Sequence, residues 1–141
     1  MYRCATRRHL LAASAALAFT ALTAFAQTAG AQATQMKRNF PQDALRGVMV
    51  FDNPPQVTLS NRPVQLAPGV RIRGQNNMLV MTGPLIGRKL VVHYTVEPTV
   101  GLIKEVWILR DEEMLVTPWP TTPEQLKTWS FDPAAQVWTK P

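Results

Sequence analysis

The sequence predicts an all-β fold: a small meandering or partly closed barrel with a short C-terminal helix, preceded by an N-terminal signal helix that is removed. Three observations predict it. Short segments rich in Val and Ile recur between residues 45 and 114, and Pro and Gly separate them at regular intervals. No stretch between them has the periodicity of an amphipathic helix. Many short strands without intervening helices favour a sheet that closes or nearly closes.

The first element, residues 1–26, is predicted to be a signal peptide. Three arginines precede a 17-residue apolar run, Leu10–Ala26, and no acidic residue interrupts them. The run ends in Ala-Phe-Ala, with small residues at the two positions that a signal peptidase reads, so we expect cleavage between Ala26 and Gln27. A membrane span needs ~20 predominantly apolar residues. The shorter run therefore favours a cleaved signal over a membrane anchor.

The signal also predicts the compartment. The stretch Thr6–Leu11 contains two adjacent arginines and resembles the twin-arginine export pattern. Paired arginines arise in many positive signal segments by charge alone, which favours the Sec route over the Tat route. Both routes carry the chain out of the bacterial cytoplasm, so we expect a periplasmic protein with no membrane span in the mature form.

The cysteine and histidine content excludes several chemistries. Cys4 is the only cysteine and leaves with the signal, so the mature chain has no disulfide, thiol nucleophile or thiolate metal site. His93 is then the only histidine, which excludes a multi-histidine metal site. A lone histidine on a strand is expected to be a structural side chain, half-buried or at the surface. We expect no catalytic residue, metal ion or cofactor.

The rest of the chain divides into two predicted parts. The stretch "QTAGAQATQ" is small and polar, and residues 27–42 are predicted to form a disordered leader. Residues 43–141 are predicted to form one barrel-like domain that ends in a tail rich in Trp and Pro. A chain of this length can bury one apolar core without disulfides.

The strands of the domain are predicted from period-two alternation and turn residues. The predicted strands are Gly47–Phe51, Gln56–Leu59, Pro63–Leu66, Gly69–Arg73, Met78–Met81, Lys89–Glu97 and Leu102–Arg110. The last two form a hairpin through the loop "PTVG", and Met78–Met81 is expected to pair back on Gly69–Arg73. Trp107 is predicted to lie in the core, with Val92, Tyr94 and Leu109 among its neighbours.

The C-terminal tail carries the start signal of a short helix. Thr122 is the predicted N-cap, Pro123 occupies the first helical position and Gln125 occupies the capping-box position. The last residues return as a strand or pack as a tail. Trp119 and Trp138 either clamp this tail on the barrel or form an aromatic patch for sugars or peptides, and the clamp is favoured because buried aromatic residues dominate small cores.

A group of basic residues is the candidate binding site. Without residues 1–26 the chain carries twelve Lys and Arg and nine Asp and Glu, a net charge of +3, with most of the positive charge in its first half. Period two places Arg71 and Arg73 on one outer face. One explanation of these outward arginines is structural: they keep the strand soluble and protect a sheet edge from pairing with another chain. The functional hypothesis is that these side chains form one basic face, which docks an anionic partner through paired guanidinium donors. The residues of this face are Arg62, Arg71, Arg73, Arg88 and Lys89.

About half of the chain supports a resemblance. The parts are a strand pair around a polar turn at Val57–Leu66, a "LIG" step, a strand at Leu90–Val96 and a "GLI" return. Together they resemble small exported β-barrel domains of proteobacteria. The resemblance implies an OB- or SH3-like barrel and a periplasmic location, and it implies no activity. The chain departs from the pattern at Ser60-Asn61, where Asn-Gly or Asp-Gly is usual.

Two functions follow from these residues as hypotheses. The first is a non-catalytic periplasmic binding or accessory module, whose partner is an envelope protein or an anionic polymer; no nucleic-acid partner is expected. The alternative is a cell-envelope hydrolase that uses Glu97 and Glu105 on the facing arms of one hairpin. A glycosidase pair also needs a cleft and a carboxyl group with a raised pKa, and the sequence indicates neither.

Overall fold

The computed structural model describes residues 36–141. The predicted signal peptide, its cleavage site and the first part of the predicted leader lie outside the described residues. Five strands close into a barrel in the order β1-β2-β3-β5-β4: β1 (Leu45–Asn53), β2 (Gln56–Leu59), β3 (Arg62–Arg73), β4 (Lys89–Val96) and β5 (Ile103–Ile108). The predicted all-β small barrel is confirmed.

All neighbouring strands are antiparallel except β3 and β5, which run parallel. The five strands in this order make an OB-type barrel, one of the two small barrels that the sequence predicts. A parallel pair needs a crossover, and here the connection of residues 74–88 together with β4 carries the chain from the end of β3 to the start of β5. This connection contains a 3₁₀ turn at Gly83–Leu85, and Leu85 is buried in the barrel core.

The β2–β3 hairpin closes through Ser60 and Asn61, both at positive φ (48° and 66°). Two consecutive left-handed residues match the right-handed twist of the flanking strands, which explains how this turn works without glycine. The two predicted strands Pro63–Leu66 and Gly69–Arg73 are one strand. Gly69 has a φ of 75° and coincides with an irregular register between β3 and β5, so the chain bends there without ending the strand.

The predicted strand Met78–Met81 is wrong. Leu79 makes only an isolated bridge with Arg73, although Val80 donates its amide to the carbonyl of Ile72. The chain turns tightly at residues 74–78 and then enters the 3₁₀ turn, whose Pro84 has no amide proton to donate to a ladder. The expected pairing back on β3 is therefore present as one antiparallel bridge with two flanking hydrogen bonds, but it does not extend into a strand over Met78–Met81.

The domain has two apolar clusters. The first fills the barrel and includes Met49, Phe51, Val92, Tyr94 and Val106. The second lies outside the barrel wall and is formed by Phe40, Ala44, Trp107, Leu109, Trp119 and Trp138. Both faces of β4 and β5 are therefore covered, which explains why these strands are apolar on both sides.

Trp107 is buried, as predicted, but two of its predicted neighbours are wrong. Trp107 stands opposite His93 in the β4–β5 pairing, so these two side chains share the outer face. Val92 and Tyr94 have the other parity and point into the barrel. Leu109 belongs to the same outer cluster as Trp107, as predicted.

Replacement of Trp107 by alanine is expected to lower the free energy of unfolding by ~3–5 kcal/mol, because a large buried aromatic side chain is lost from the outer cluster. Urea denaturation of the parent and the variant measures this difference. Leu115→Ala is the control, since Leu115 is exposed and the change should stay within ~0.5 kcal/mol. If Trp107→Ala has the same free energy of unfolding as the parent, the burial of Trp107 in the outer cluster would be contradicted.

Two short helices and a hairpin complete the domain: α1 (Asp111–Met114), α2 (Pro123–Thr128), β6 (Ser130–Asp132) and β7 (Val137–Thr139). The helix predicted after Thr122 is present, and Oε1 of Gln125 accepts the amide of Thr122 at 3.3 Å. Trp138 is buried on β7, and the indole of Trp119 donates to the carbonyl of Ala44 at 2.9 Å. The two tryptophans thus clamp the tail on the barrel.

The described end of the predicted leader, residues 36–42, packs on the barrel. Phe40 is buried in the outer cluster, and its amide donates to Oε1 of Gln136 at 2.7 Å. Arg38 is buried as well. The predicted start of the domain at residue 43 is therefore too late, because Phe40 supplies apolar surface that the outer cluster needs.

Candidate functional site

A buried ion pair between Arg38 and Glu113 organises the polar region beside the outer cluster. Nε of Arg38 donates to Oε1 of Glu113 at 2.8 Å, and a terminal nitrogen donates to Oε2. The same guanidinium donates to the carbonyls of Gly74 (2.8 Å) and Ile108 (2.7 Å), at the ends of β3 and β5. One side chain therefore joins the N-terminal segment, two strand ends and α1.

Two further arginines hold α1 in place. Arg46 on β1 donates to the carbonyls of Glu113 (2.9 Å), Met114 (3.2 Å) and Val116 (2.9 Å). Nε of Arg110 donates to the carbonyl of Gln75 at 2.6 Å. The bonds from Arg46 satisfy carbonyl groups at the C-terminal end of α1, which a helix of one turn leaves without partners, and the bond from Arg110 ties the start of α1 to the turn after β3.

The electrostatics keep Glu113 ionised. Burial alone would raise the pKa of this carboxyl group. The hydrogen bond from the Arg38 side chain, the amide of Arg110 and the two positive charges outweigh burial, and the pKa of Glu113 lies below its usual range. A carboxylate held in this way accepts hydrogen bonds and does not act as a proton donor near neutral pH.

His93 is fully buried, at 0 % exposure, and not half-buried or at the surface as expected. Its ring stacks on Trp119 at a centroid distance of 4.0 Å, and Phe40 contacts it edge-on at 4.4 Å. The pKa of His93 is lowered to about 2, mainly by burial and further by the positive charges of Arg46 and Arg38. The ring is therefore neutral. Nε2 accepts from Nε of Arg46 at 3.1 Å, so the proton is on Nδ1, which has no hydrogen-bond partner.

A cavity of about 270 Å³ lies next to this network. Its aromatic and apolar wall comes from Phe40, His93, Val116 and Trp119. The charged side chains on the other wall, Arg38 and Glu113 among them, already bond to each other. The volume is just below the ~300–1,000 Å³ of small-molecule pockets. Because these charged groups already bond to each other, they stabilise the fold and are not available to bind a ligand in the cavity.

A larger groove of about 560 Å³ adjoins the cavity and is open to the surface. We call it the basic groove; it is lined by Met36, Lys37, Arg38, Asn39, Asn76, Asn77 and Arg110. Lys37 and three asparagine amides are exposed there, whereas the guanidinium groups of Arg38 and Arg110 are buried and paired with Glu113. Arg73 extends the groove, because its guanidinium donates to the carbonyl of Asn77 at 3.4 Å. Such donors suit the oxygens of phosphate, sulfate or carboxylate groups.

The five basic residues predicted from the sequence do not form one cluster. Arg73, Arg88 and Lys89 lie at one end of the barrel, where β3 ends and β4 begins. Arg62 begins β3, so up to roughly 35 Å of strand separates it from Arg73. Arg71 lies on the outer face between these ends and pairs with Glu105 at 3.5 Å.

Glu97 and Glu105 have separate partners. Thr95, and not Glu97, stands opposite Glu105 in the β4–β5 pairing. Oε1 of Glu105 accepts from Arg71, whereas the carboxylate of Glu97 accepts from the hydroxyl of Thr99 in the hairpin turn. The pairing register therefore offsets the two carboxylates along the hairpin.

Sequence reasoning missed three residues of the basic groove: Lys37, Arg38 and Arg110. The first two fall in the predicted leader, and Arg110 is the last residue of a predicted strand. A local signal exists in "KRNFP", where two basic residues and a phenylalanine follow the small polar stretch. Their partner Glu113 lies 75 residues later in the chain than Arg38, so no spacing rule connects them.

Within residues 36–141, no helix is long and apolar enough to cross a membrane. The same residues hold no group of three or more His, Cys, Asp or Glu side chains that could bind a metal ion. Comparison with models of protein families, with curated proteins and with solved structures found no significant match.

Proposed function

We propose that the protein is a non-catalytic binding module of the bacterial envelope, which binds an anionic partner in the basic groove. One observation carries the proposal: exposed Lys37 and three exposed asparagine side chains line a surface groove, and the guanidinium of Arg73 extends it. Guanidinium and amide groups supply directed donors, and the ammonium group supplies a point charge. An anionic polymer, or the acidic face of an envelope protein, offers the matching acceptors.

The charge distribution supports the same proposal. The sequence has no Asp or Glu between residues 53 and 96, whereas this stretch contains five basic residues. Three of them, Arg73, Arg88 and Lys89, lie at the end of the barrel where Asn76 and Asn77 line the groove. These cations attract an anionic partner from the β3–β4 side of the groove, whereas exposed Glu112 lies on the side of Arg110.

The binding role, rather than a catalytic role, rests on the state of the titratable groups. His93 is neutral and sealed between aromatic rings, and Glu113 is held as a carboxylate by Arg38. Neither is placed to transfer a proton to or from a substrate near neutral pH. The periplasmic location remains part of the proposal and rests on the predicted signal peptide.

The test is charge reversal at the groove. Lys37→Glu combined with Arg73→Glu should weaken binding to immobilised heparin, a sulfated polymer, by at least about tenfold at low salt, since two attractive charges become repulsive. Arg62→Glu combined with Lys127→Glu is the matched control: it makes the same charge change at residues that do not line the groove. The salt concentration at elution and the melting temperature are measured for all three proteins.

The control should elute close to the parent, and both variants should melt within a few degrees of it. Equal losses of retention in both variants would mean that net charge, and not the groove, determines binding. A parent protein that passes through heparin and through an acidic peptide column unretained would refute the proposed function.

A further inference from the structure

The connection between β3 and β4 displays an unusual apolar surface. We call residues 74–88 the apolar loop. Four of its large side chains are exposed to between 55 % and 80 %: Met78, Leu79, Met81 and Ile86. Exposed apolar residues are ordinary when single, but a group of this kind within nine residues marks an interaction surface.

The apolar loop is firmly held. Leu85 anchors it in the barrel core, and Val80 packs against the same cluster. Three of its backbone amides bond to carbonyls that fix it in place: Gly74 donates to Met78 (2.8 Å), Val80 to Ile72 (2.8 Å) and Gly87 to Phe51 (2.9 Å). The exposed side chains therefore project from an ordered backbone whose hydrogen bonds survive in surroundings poorer in water.

Cations surround the base of this loop. Arg73 precedes it, Arg88 ends it and Lys89 follows it, and no acidic residue occurs between residues 53 and 96. Arg88 and Lys89 are exposed. The end of the barrel thus combines an apolar projection with positive charges beside it. This is the pattern that suits an anionic membrane surface, where apolar groups enter the acyl boundary and cations meet the phosphates.

We infer that the apolar loop docks the protein on an anionic lipid bilayer, with Met78, Leu79, Met81 and Ile86 in the boundary between headgroups and acyl chains. Methionine and leucine side chains are flexible, and a fluid bilayer accommodates them without a shaped pocket. Arg73, Arg88 and Lys89 attract the lipid phosphates. The inference builds on the proposed function, because the bilayer supplies the anionic surface beside the basic groove.

The experiment is co-sedimentation of the protein without its predicted signal peptide, residues 27–141, with vesicles. Vesicles of equal parts phosphatidylglycerol and phosphatidylcholine are compared with vesicles of phosphatidylcholine alone. The parent should bind the anionic vesicles at least about tenfold more tightly, since each cation near such a surface is worth ~1 kcal/mol. Met78→Ser combined with Met81→Ser should reduce that binding by about tenfold or more, while elution from heparin stays unchanged.

Matched controls separate loop contact from general effects. Val100→Ser combined with Val137→Ser removes apolar side chains that are exposed elsewhere, and it should bind vesicles like the parent. Arg88→Gln combined with Lys89→Gln should weaken binding to anionic vesicles, whereas Arg62→Gln combined with Lys127→Gln should change it little.

The outcomes distinguish this inference from the proposed function. Retention on heparin without binding to anionic vesicles would overturn the membrane inference and leave the proposed function standing. Equal vesicle binding by Met78→Ser/Met81→Ser and the parent would also overturn it, as would equal binding to both kinds of vesicle. Failure to bind vesicles, heparin and acidic peptide would overturn both.

Discussion

Acidification from pH 7 to pH 4 is expected to lower the free energy of unfolding by about 3 kcal/mol, with His93 as the main cause. The folded protein holds the pKa of His93 at about 2, whereas the unfolded chain has the ordinary value of 6.5. Between these two values the unfolded chain binds a proton that the folded protein does not. Stability is therefore complete above pH 6.5 and is lost as the pH falls toward 2.

Urea denaturation at a series of pH values between 7 and 4 measures this effect. His93→Gln is the informative variant, because a glutamine oxygen can accept the hydrogen bond from Arg46 but does not titrate. Its stability should depend much less on pH, although Glu113 retains a lowered pKa and adds a loss in the same direction at lower pH. If the parent has the same free energy of unfolding at pH 7 and pH 4, His93 is not sealed in the way the structure shows.

Replacement of Arg38 by methionine is expected to cost about 3–5 kcal/mol of stability, because it leaves the Glu113 carboxylate in a largely buried place without its principal partner. The carbonyls of Gly74 and Ile108 lose a donor in the same variant. Methionine keeps most of the apolar length of the side chain, so the loss reports on charge and hydrogen bonding.

The double variant Arg38→Met/Glu113→Met tests this explanation. Removing both charges eliminates the unpaired carboxylate, so the double variant should regain a substantial part of the stability lost in Arg38→Met. Thermal melting and urea denaturation measure all three proteins. A single variant that loses less than about 1 kcal/mol, or a double variant that is no more stable than Arg38→Met, would contradict a buried ion pair as the centre of this region.

The sequence was sufficient for features determined by neighbouring residues. Alternation and the "PTVG" loop predict the β4–β5 hairpin, and the residues after Thr122 predict α2, because caps and turns depend on local chemistry. The face of Trp107 was assigned wrongly for the opposite reason. Both faces of its strand are apolar, and only the pairing with His93 decides which face turns to the barrel interior.

The site was largely beyond sequence reasoning. Arg38 is joined to Glu113 and Phe40 to Gln136 only after the barrel has closed, and these contacts span most of the domain. Arg38 and Phe40 fall in the predicted leader, because the residues around them are small and polar and a single phenylalanine does not predict a buried segment. Arg73, Arg88 and Lys89 lie at the same end of the barrel, while Arg62 lies at the far end of β3, and their role as a binding face stays a prediction.

The link between the first and last parts of the domain has a consequence for how it comes apart. The amide of Phe40 bonds to Gln136, 96 residues away, and Lys37 donates to the carbonyl of Ala135 at 2.8 Å. Chain ends commonly fray on their own, in local openings that leave the rest of a protein intact. Here the two segments are bonded to each other, so we expect the N-terminal segment and the β6–β7 hairpin to open together as one cooperative unit.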